Sequence, residues 1–386
     1  MSERKTEKGM FWQATWTQAM TDFRSEDEEQ PFADVTVRMT VPASIGGSYV
    51  RAELSNRFGD EPVLIGRVAI RVGDQSLDIT FDGQQSTEIP AGESRWTDPI
   101  ELTVNHGEDV SIDLYLPVRT PYATANGFIF QRSMPGDFAG SREFPALNVH
   151  HTEPAPDEAG WSWSLPTGGP FLRAIEVAGK EAKAVIVCLG ASITTMGWPQ
   201  LTAALLPADA QISVLNRGIS GNRLRFDAPP MHASWGRSGL SRFDEDVLDT
   251  PGVTHVVIAY ASNDIGLPGK VAPLSELPSA AQQIDAYQQL IDRAHAAGLG
   301  VILATITPMT PEQSDDPKRE HIRLAVNDWI RTSGFEFVDF DEAIRSESTP
   351  SRLAAEYDVG DHQHPNVAGE KRLAQTMVEA IARAHL

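Results

Sequence analysis

Between about Phe32 and Val118, apolar and polar residues alternate in short stretches separated by turn residues. Val35-Thr36-Val37-Arg38-Met39, Tyr49-Val50-Arg51-Ala52-Glu53-Leu54 and Val68-Ala69-Ile70-Arg71-Val72 each send every second side chain to one face, and Val110-Ser111-Ile112-Asp113-Leu114-Tyr115-Leu116 continues the series. A period of two, broken at Gly46-Gly47, Gly73-Asp74, Asp82-Gly83 and Pro90-Ala91-Gly92, predicts antiparallel strands with one buried face. Several such strands in series predict a β-sandwich or jelly roll. Residues 119 to about 170 are rich in Gly, Pro, Ser and aromatics and read as long loops with a few strands, and residues 171–177 read as a closing strand.

Past Ala184 the rhythm changes. Short apolar runs at 185–189, 212–215, 253–260, 301–306 and 335–340 alternate with segments of helical spacing at 199–206, 280–297, 321–332 and 367–384. Continuous apolar strands alternating with helices predict a parallel sheet covered on both faces, with ligands at the carboxyl ends of its strands. The chain therefore divides into an all-β sandwich over 1–182 and an α/β domain over 183–386, with 178–183 as the junction.

Charge narrows the partners. With 53 acidic residues against 32 basic ones the formal charge is −21, which disfavours nucleic acid and anionic membrane surfaces alike. No run approaches the ~18 apolar residues that span a bilayer, and the amino terminus lacks the apolar core and small-residue cleavage site of an export signal. A cytoplasmic protein is expected, or a secreted one whose signal has been removed. Cys188, the only cysteine, excludes internal disulfides and sits in the run Val185-Ile186-Val187-Cys188-Leu189, where a buried structural thiol is expected.

The candidate chemistry clusters where the α/β strands end. Gly190-Ala191-Ser192-Ile193-Thr194 follows the first of them, and a serine at a strand's end before a helix has an exposed hydroxyl beside free backbone amides. A helix N-cap serine is the bland alternative. Asp361-His362-Gln363-His364-Pro365-Asn366 precedes the last helix, and a carboxylate three residues before a histidine can orient its ring for proton transfer. The competing reading is a metal site built from Asp361, His362 and His364. Asn216-Arg217-Gly218-Ile219-Ser220-Gly221-Asn222-Arg223 offers backbone amides in a glycine turn, and Ala261-Ser262-Asn263-Asp264 offers an amide side chain. Each of these two, alone, also describes an ordinary turn.

Taken in order, the four segments resemble the SGNH (GDSL-like) hydrolase family, whose blocks supply serine, glycine, asparagine and histidine in that sequence. The resemblance covers about residues 184 to 386 and implies a flavodoxin-like α/β/α fold. It implies Ser192 as nucleophile, His364 as general base and Asp361 as its orienting acid. Ser192, Gly221 and Asn263 would form the oxyanion hole. Ser241-Arg242-Phe243-Asp244-Glu245-Asp246-Val247-Leu248 and Val50-Arg51-Ala52-Glu53-Leu54-Ser55-Asn56-Arg57-Phe58-Gly59 are similar to segments of a bacterial branch that carries an N-terminal β-sandwich. Two positions depart from the family pattern. Ala191 stands where the family has aspartate, and Ala261 stands where it has glycine.

The resemblance implies an ester hydrolase whose substrates range over acetylated carbohydrates, short aryl esters, thioesters and lipids. With no extended apolar lid segment in the sequence, short-chain, above all acetyl, esters of small molecules or carbohydrates are expected, with no metal, nucleotide or flavin. No Walker-type loop and no Gly-x-Gly-x-x-Gly with an acidic partner occurs. Trp12, Trp16, Trp96, Trp161 and Trp163 are sandwich aromatics that serve either as sugar platforms or as core. The rival readings are a catalytically silent carbohydrate-binding protein and a metal-dependent hydrolase.

Overall fold

The computed structural model describes residues 10–24, 31–127, 130–150 and 168–386; Trp161 and Trp163 lie outside them. The described chain falls into two compact units, one reaching Ala182 and the other starting at Lys183, with Met231–Ser234 grouping with the first.

The alternating half forms antiparallel sheets. One has the strand order Phe11–Thr17, Leu172–Gly179, Gly47–Ser55, Ile100–Val104, with Ser94–Trp96 also pairing to Gly47–Ser55. The other runs Ala146–His150, Phe130–Pro135, Val35–Pro42, Asp109–Leu116, Arg67–Val72, Gln75–Ile79. Alternate residues of both sheets share one apolar core, including Val37, Met39, Ile112 and Leu114 from the second and Val50, Leu54, Ile175 and Val177 from the first. Each such side chain contributes about 1.5–3 kcal/mol through burial.

The intervening positions carry charge, and burial forces them into pairs. Arg38 clasps Asp113 from the neighbouring strand through two 2.6 Å hydrogen bonds. Arg51 faces Glu176 across its own strand pair at 2.7 Å, with its guanidinium 4.4 Å from the centre of the Trp12 ring and 4.5 Å from that of Trp96. Trp12 and Trp96 thus flank an ion pair, and Trp16 is a core residue.

The second unit is an α/β fold. Its strands β1 (Ala184–Gly190), β2 (Ile212–Gly218), β3 (His255–Ala259), β4 (Gly300–Ala304) and β5 (Glu336–Val338) form a wholly parallel sheet of order β2-β1-β3-β4-β5. This is the doubly wound order of flavodoxin-like sheets, and it matches the expected fold class. The helices that position the site are α1 (Ser192–Thr195), α2 (Trp198–Leu205), α3 (Gly239–Phe243), α4 (Ser262–Gly266), α5 (Ala280–Ala296), α6 (Pro317–Thr332) and α7 (Val367–Arg383). Trp198 of α2 and Leu373, Met377 and Ile381 of α7 join the core on the sheet face that carries Ile186 and Cys188. Burial pushes the Cys188 thiol far above its ordinary pKa, as for an inert core residue.

The expected bounds shift where capping or turn chemistry acts. α6 starts at Pro317 rather than at 321, because Asp316 caps it by accepting from the Lys318 amide and proline suits the first helical turn. β3 stops at Ala259, which leaves Tyr260 in the turn that follows. Among the described residues no helix is long and apolar enough to cross a membrane.

Burial pushes Glu176 up to about 7, the Arg51 pair offsetting only part of that penalty. The folded state therefore holds this proton above the ordinary carboxylate range near 4.5, and the stability it lends at low pH is lost as pH rises through about 7. Replacing Glu176→Gln is expected to gain stability relative to wild type between pH 5 and pH 8. Denaturant midpoints of the two proteins that shift in parallel with pH would rule this out.

Candidate active site

All seven residues of β1 are buried, and the strand delivers Ser192 to the carboxyl edge of the sheet. The turn leaves no room for a side chain at Gly190: a Cβ there would approach the Thr194 hydroxyl and lie 2.8 Å from the Ala259 carbonyl. Ser192 is the first residue of α1, and Ala191 holds the cap position without a side-chain cap. Its hydroxyl is thus not spent on capping. Its amide is one of the first-turn donors that no helical carbonyl accepts.

The hydroxyl meets His364 Nε2 at 2.8 Å, and His364 Nδ1 meets Asp361 Oδ2 at 2.5 Å. The other Asp361 oxygen accepts from the Gln363 and His364 amides at 2.9 and 2.8 Å. Burial works against the Asp361 charge, but the hydrogen bonds from the His364 ring and these amides outweigh it and hold its pKa down to about 2. An ionised Asp361 keeps the proton on Nδ1, which turns Nε2 into an acceptor for the Ser192 proton. The structure thus brings together Ser192, Asp361 and His364 from two segments 169 residues or more apart in sequence.

The two remaining segments meet each other. Gly221 has φ +75°, and a Cβ there would run into the Trp235 ring, so the turn requires glycine on two counts. The Asn263 side chain donates to the Asn222 carbonyl at 2.9 Å, which leaves its second amide hydrogen for another acceptor. Asp264 accepts from the Leu224 and Arg225 amides at 2.8 and 3.0 Å, and burial raises its pKa to about 6 against those bonds. Asn263 and Asp264 therefore hold Asn222, Leu224 and Arg225, which follow Gly221 in the chain. Neither Asp264 nor the buried residues Asn222, Tyr260 and Arg242 that join this network stood out by sequence. The one available signal was their place inside segments quoted for other residues.

His362 turns away from the other histidine. Its Nδ1 meets Asp358 Oδ2 at 2.6 Å, and its backbone has φ +64°. The trio required by the metal reading does not converge: among the described residues no three His, Cys, Asp or Glu side chains are arranged to hold a metal ion.

A sequence profile of the GDSL-like lipase/acylhydrolase family matches residues 176–372. The chain belongs to this family. No curated protein matches it. Among solved structures, a GDSL-like lipase of Bacteroides thetaiotaomicron is 20% identical, covering 52% of this chain and 88% of its own with a TM-score of 0.39. A carbohydrate acetylesterase of Sinorhizobium meliloti is 14% identical over 52% of this chain and 100% of its own, with a TM-score of 0.41. An acetyl xylan esterase variant of Geobacillus stearothermophilus is 24% identical over 52% and 95%, with a TM-score of 0.39.

Against the family pattern, Ala261 carries a measurable cost. It has φ +99° and is 1% exposed, just before α4. Alanine in that region is strained where glycine is not. Ala261→Gly is expected to stabilise the protein by about 1 kcal/mol, the relief of strain exceeding the added chain entropy. A denaturant midpoint that falls or stays unchanged would show that no strain is held there.

Proposed function

We propose that this acylhydrolase is a serine esterase for short acyl chains, acetyl before all, on small-molecule or carbohydrate alcohols. The observation that carries the reading is the continuous chain Ser192–His364–Asp361, with 2.8 and 2.5 Å links. His364 takes the Ser192 proton as Oγ attacks the ester carbonyl. The tetrahedral oxyanion is received by the amides of Ser192 and Gly221 and by the free Asn263 amide hydrogen. Collapse expels the alcohol, which takes the proton from His364, and water then repeats the sequence on the acyl-enzyme. Asp361 stays ionised throughout and holds the imidazole in orientation. In this reading residues 1–182 are an accessory β-sandwich domain and residues 183–386 the catalytic domain.

Acyl length is argued from space. A cavity of about 30 Å³ is bordered by Ala191 and Ile193, the two neighbours of Ser192, and by Ser262, the neighbour of Asn263. Thr305, Thr307 and Ala259 also line it. A small cavity beside the neighbours of Ser192 supports a short acyl group over a long chain.

The test is hydrolysis of p-nitrophenyl acetate, butyrate and octanoate, with a chelator present. Activity is expected to fall steeply with chain length and to vanish in Ser192→Ala. Asn263→Ala should retain the reaction but lose about a hundredfold in kcat, the usual cost of one oxyanion donor. Equal activity in Ser192→Ala, or loss of activity to the chelator, would overturn the reading.

A further inference from the structure

Arg242 is 1% exposed and lies outside the residues assigned to the reaction. It sits on α3, which opens at a Ser238 cap and passes into a π-helical turn at Asp244–Leu248. All five of its N–H hydrogens are used, each on a different residue. Nη2 donates to the Gly190 carbonyl at 2.9 Å and to the Tyr260 hydroxyl at 2.6 Å. Nη1 donates to the Arg217 carbonyl at 2.8 Å and to Asp246 at 2.7 Å. Nε donates to the Asn222 side-chain oxygen at 3.1 Å. One rigid guanidinium fork thus ties the ends of β1 and β2, the turn after β3 and the loop that carries Gly221.

Asn222 passes this fixation onward. Its side-chain oxygen also accepts from Tyr260 at 2.7 Å, and its amide donates to the Trp235 and Arg237 carbonyls at 2.7 and 2.8 Å. Its own carbonyl holds the Asn263 side chain. Gly221 is its immediate neighbour. We infer that Arg242 is a positioning residue for the oxyanion hole, acting through Asn222 to fix the Gly221 amide and the Asn263 side chain relative to Ser192. Asp246 pairs with it from one turn away and also faces the buried Arg217 at 3.7 Å. A lysine, with three donors on a flexible stem, reproduces neither the fork nor the number of links.

The inference rests on the esterase reading, and the experiment separates the two. Wild type, Arg242→Lys and Tyr260→Phe are compared on p-nitrophenyl acetate, each with Asn263 intact and with Asn263→Ala. Tyr260→Phe removes one hydroxyl from the network and keeps the ring, so it remains informative where Arg242→Lys fails to fold. Both single variants are expected to lower kcat by about ten- to hundredfold, as small misplacements do, with KM nearly unchanged. In the Asn263→Ala background the same substitutions should cost less than they do with Asn263 intact, because one of the two groups they position is gone. Full additivity, a rise in KM at constant kcat, or no loss in either variant would overturn the assignment. Backbone hydrogen exchange over residues 219–225 reads the positioning without turnover. Faster exchange in Tyr260→Phe is expected, and unchanged exchange would reject the role. Wild type without Ser192-dependent turnover would sink the esterase reading instead, leaving the exchange measurement to decide on Arg242.

Discussion

The second unit depends on the parallel pairing of Ala184–Gly190 with a strand on each side. The register runs without interruption from Ala184 opposite Ile212 to Gly190 opposite Gly218, and on the other side to Gly190 opposite Ala259. Parallel strands end together at one edge of the sheet, so the segments after β1, β2 and β3 emerge side by side. Ser192, Gly221 and Asn263, from three separate stretches of sequence, all lie on segments that leave that edge. Only the Asp361–His364 pair arrives by another route, on the loop leading into α7.

Placing so many polar groups at a buried edge creates a debt of hydrogen bonds, which the fold meets inside the protein. Asp264 satisfies the Leu224 and Arg225 amides, Asn222 satisfies two carbonyls after the Gly221 turn, and Arg242 satisfies two more at strand ends. The same rule governs the sandwich, where Arg38–Asp113 and Arg173–Glu53 pair across strands. Buried arginines such as Arg38 and Arg173 are thus matched to carboxylates. Environment then decides what each carboxyl does. Hydrogen bonds outweigh desolvation at Asp361, whereas desolvation wins at Asp264 and Glu176.

The two departures from the family pattern differ in kind. Ala261 occupies a backbone conformation that favours glycine, so its methyl is held by the surrounding structure at a cost in stability. Ala191 has a negative φ of −111°, open to any residue, and borders the small cavity that Ile193 also lines. One is a strained position, and the other leaves space.

By itself the sequence determined the class of each half. Period-two alternation up to Val118 and apolar runs spaced by helical segments after Ala184 are consequences of burying one strand face or two. It also marked Ser192, Asp361 and His364 as candidates, through their spacing and through the family resemblance that the four ordered segments carry together. Element ends were less legible, as the Asp316-Pro317 start of α6 illustrates, since capping depends on one or two residues rather than on a period. Only the tertiary structure decided how the site is held. Arg242 reaches Gly190 across 52 residues, and Asp264 reaches Leu224 across 40. Along the chain nothing marks Arg242 and Asp246, four residues apart, as buried. Their burial follows from how the strands are ordered in the sheet, and local sequence carries no record of that order.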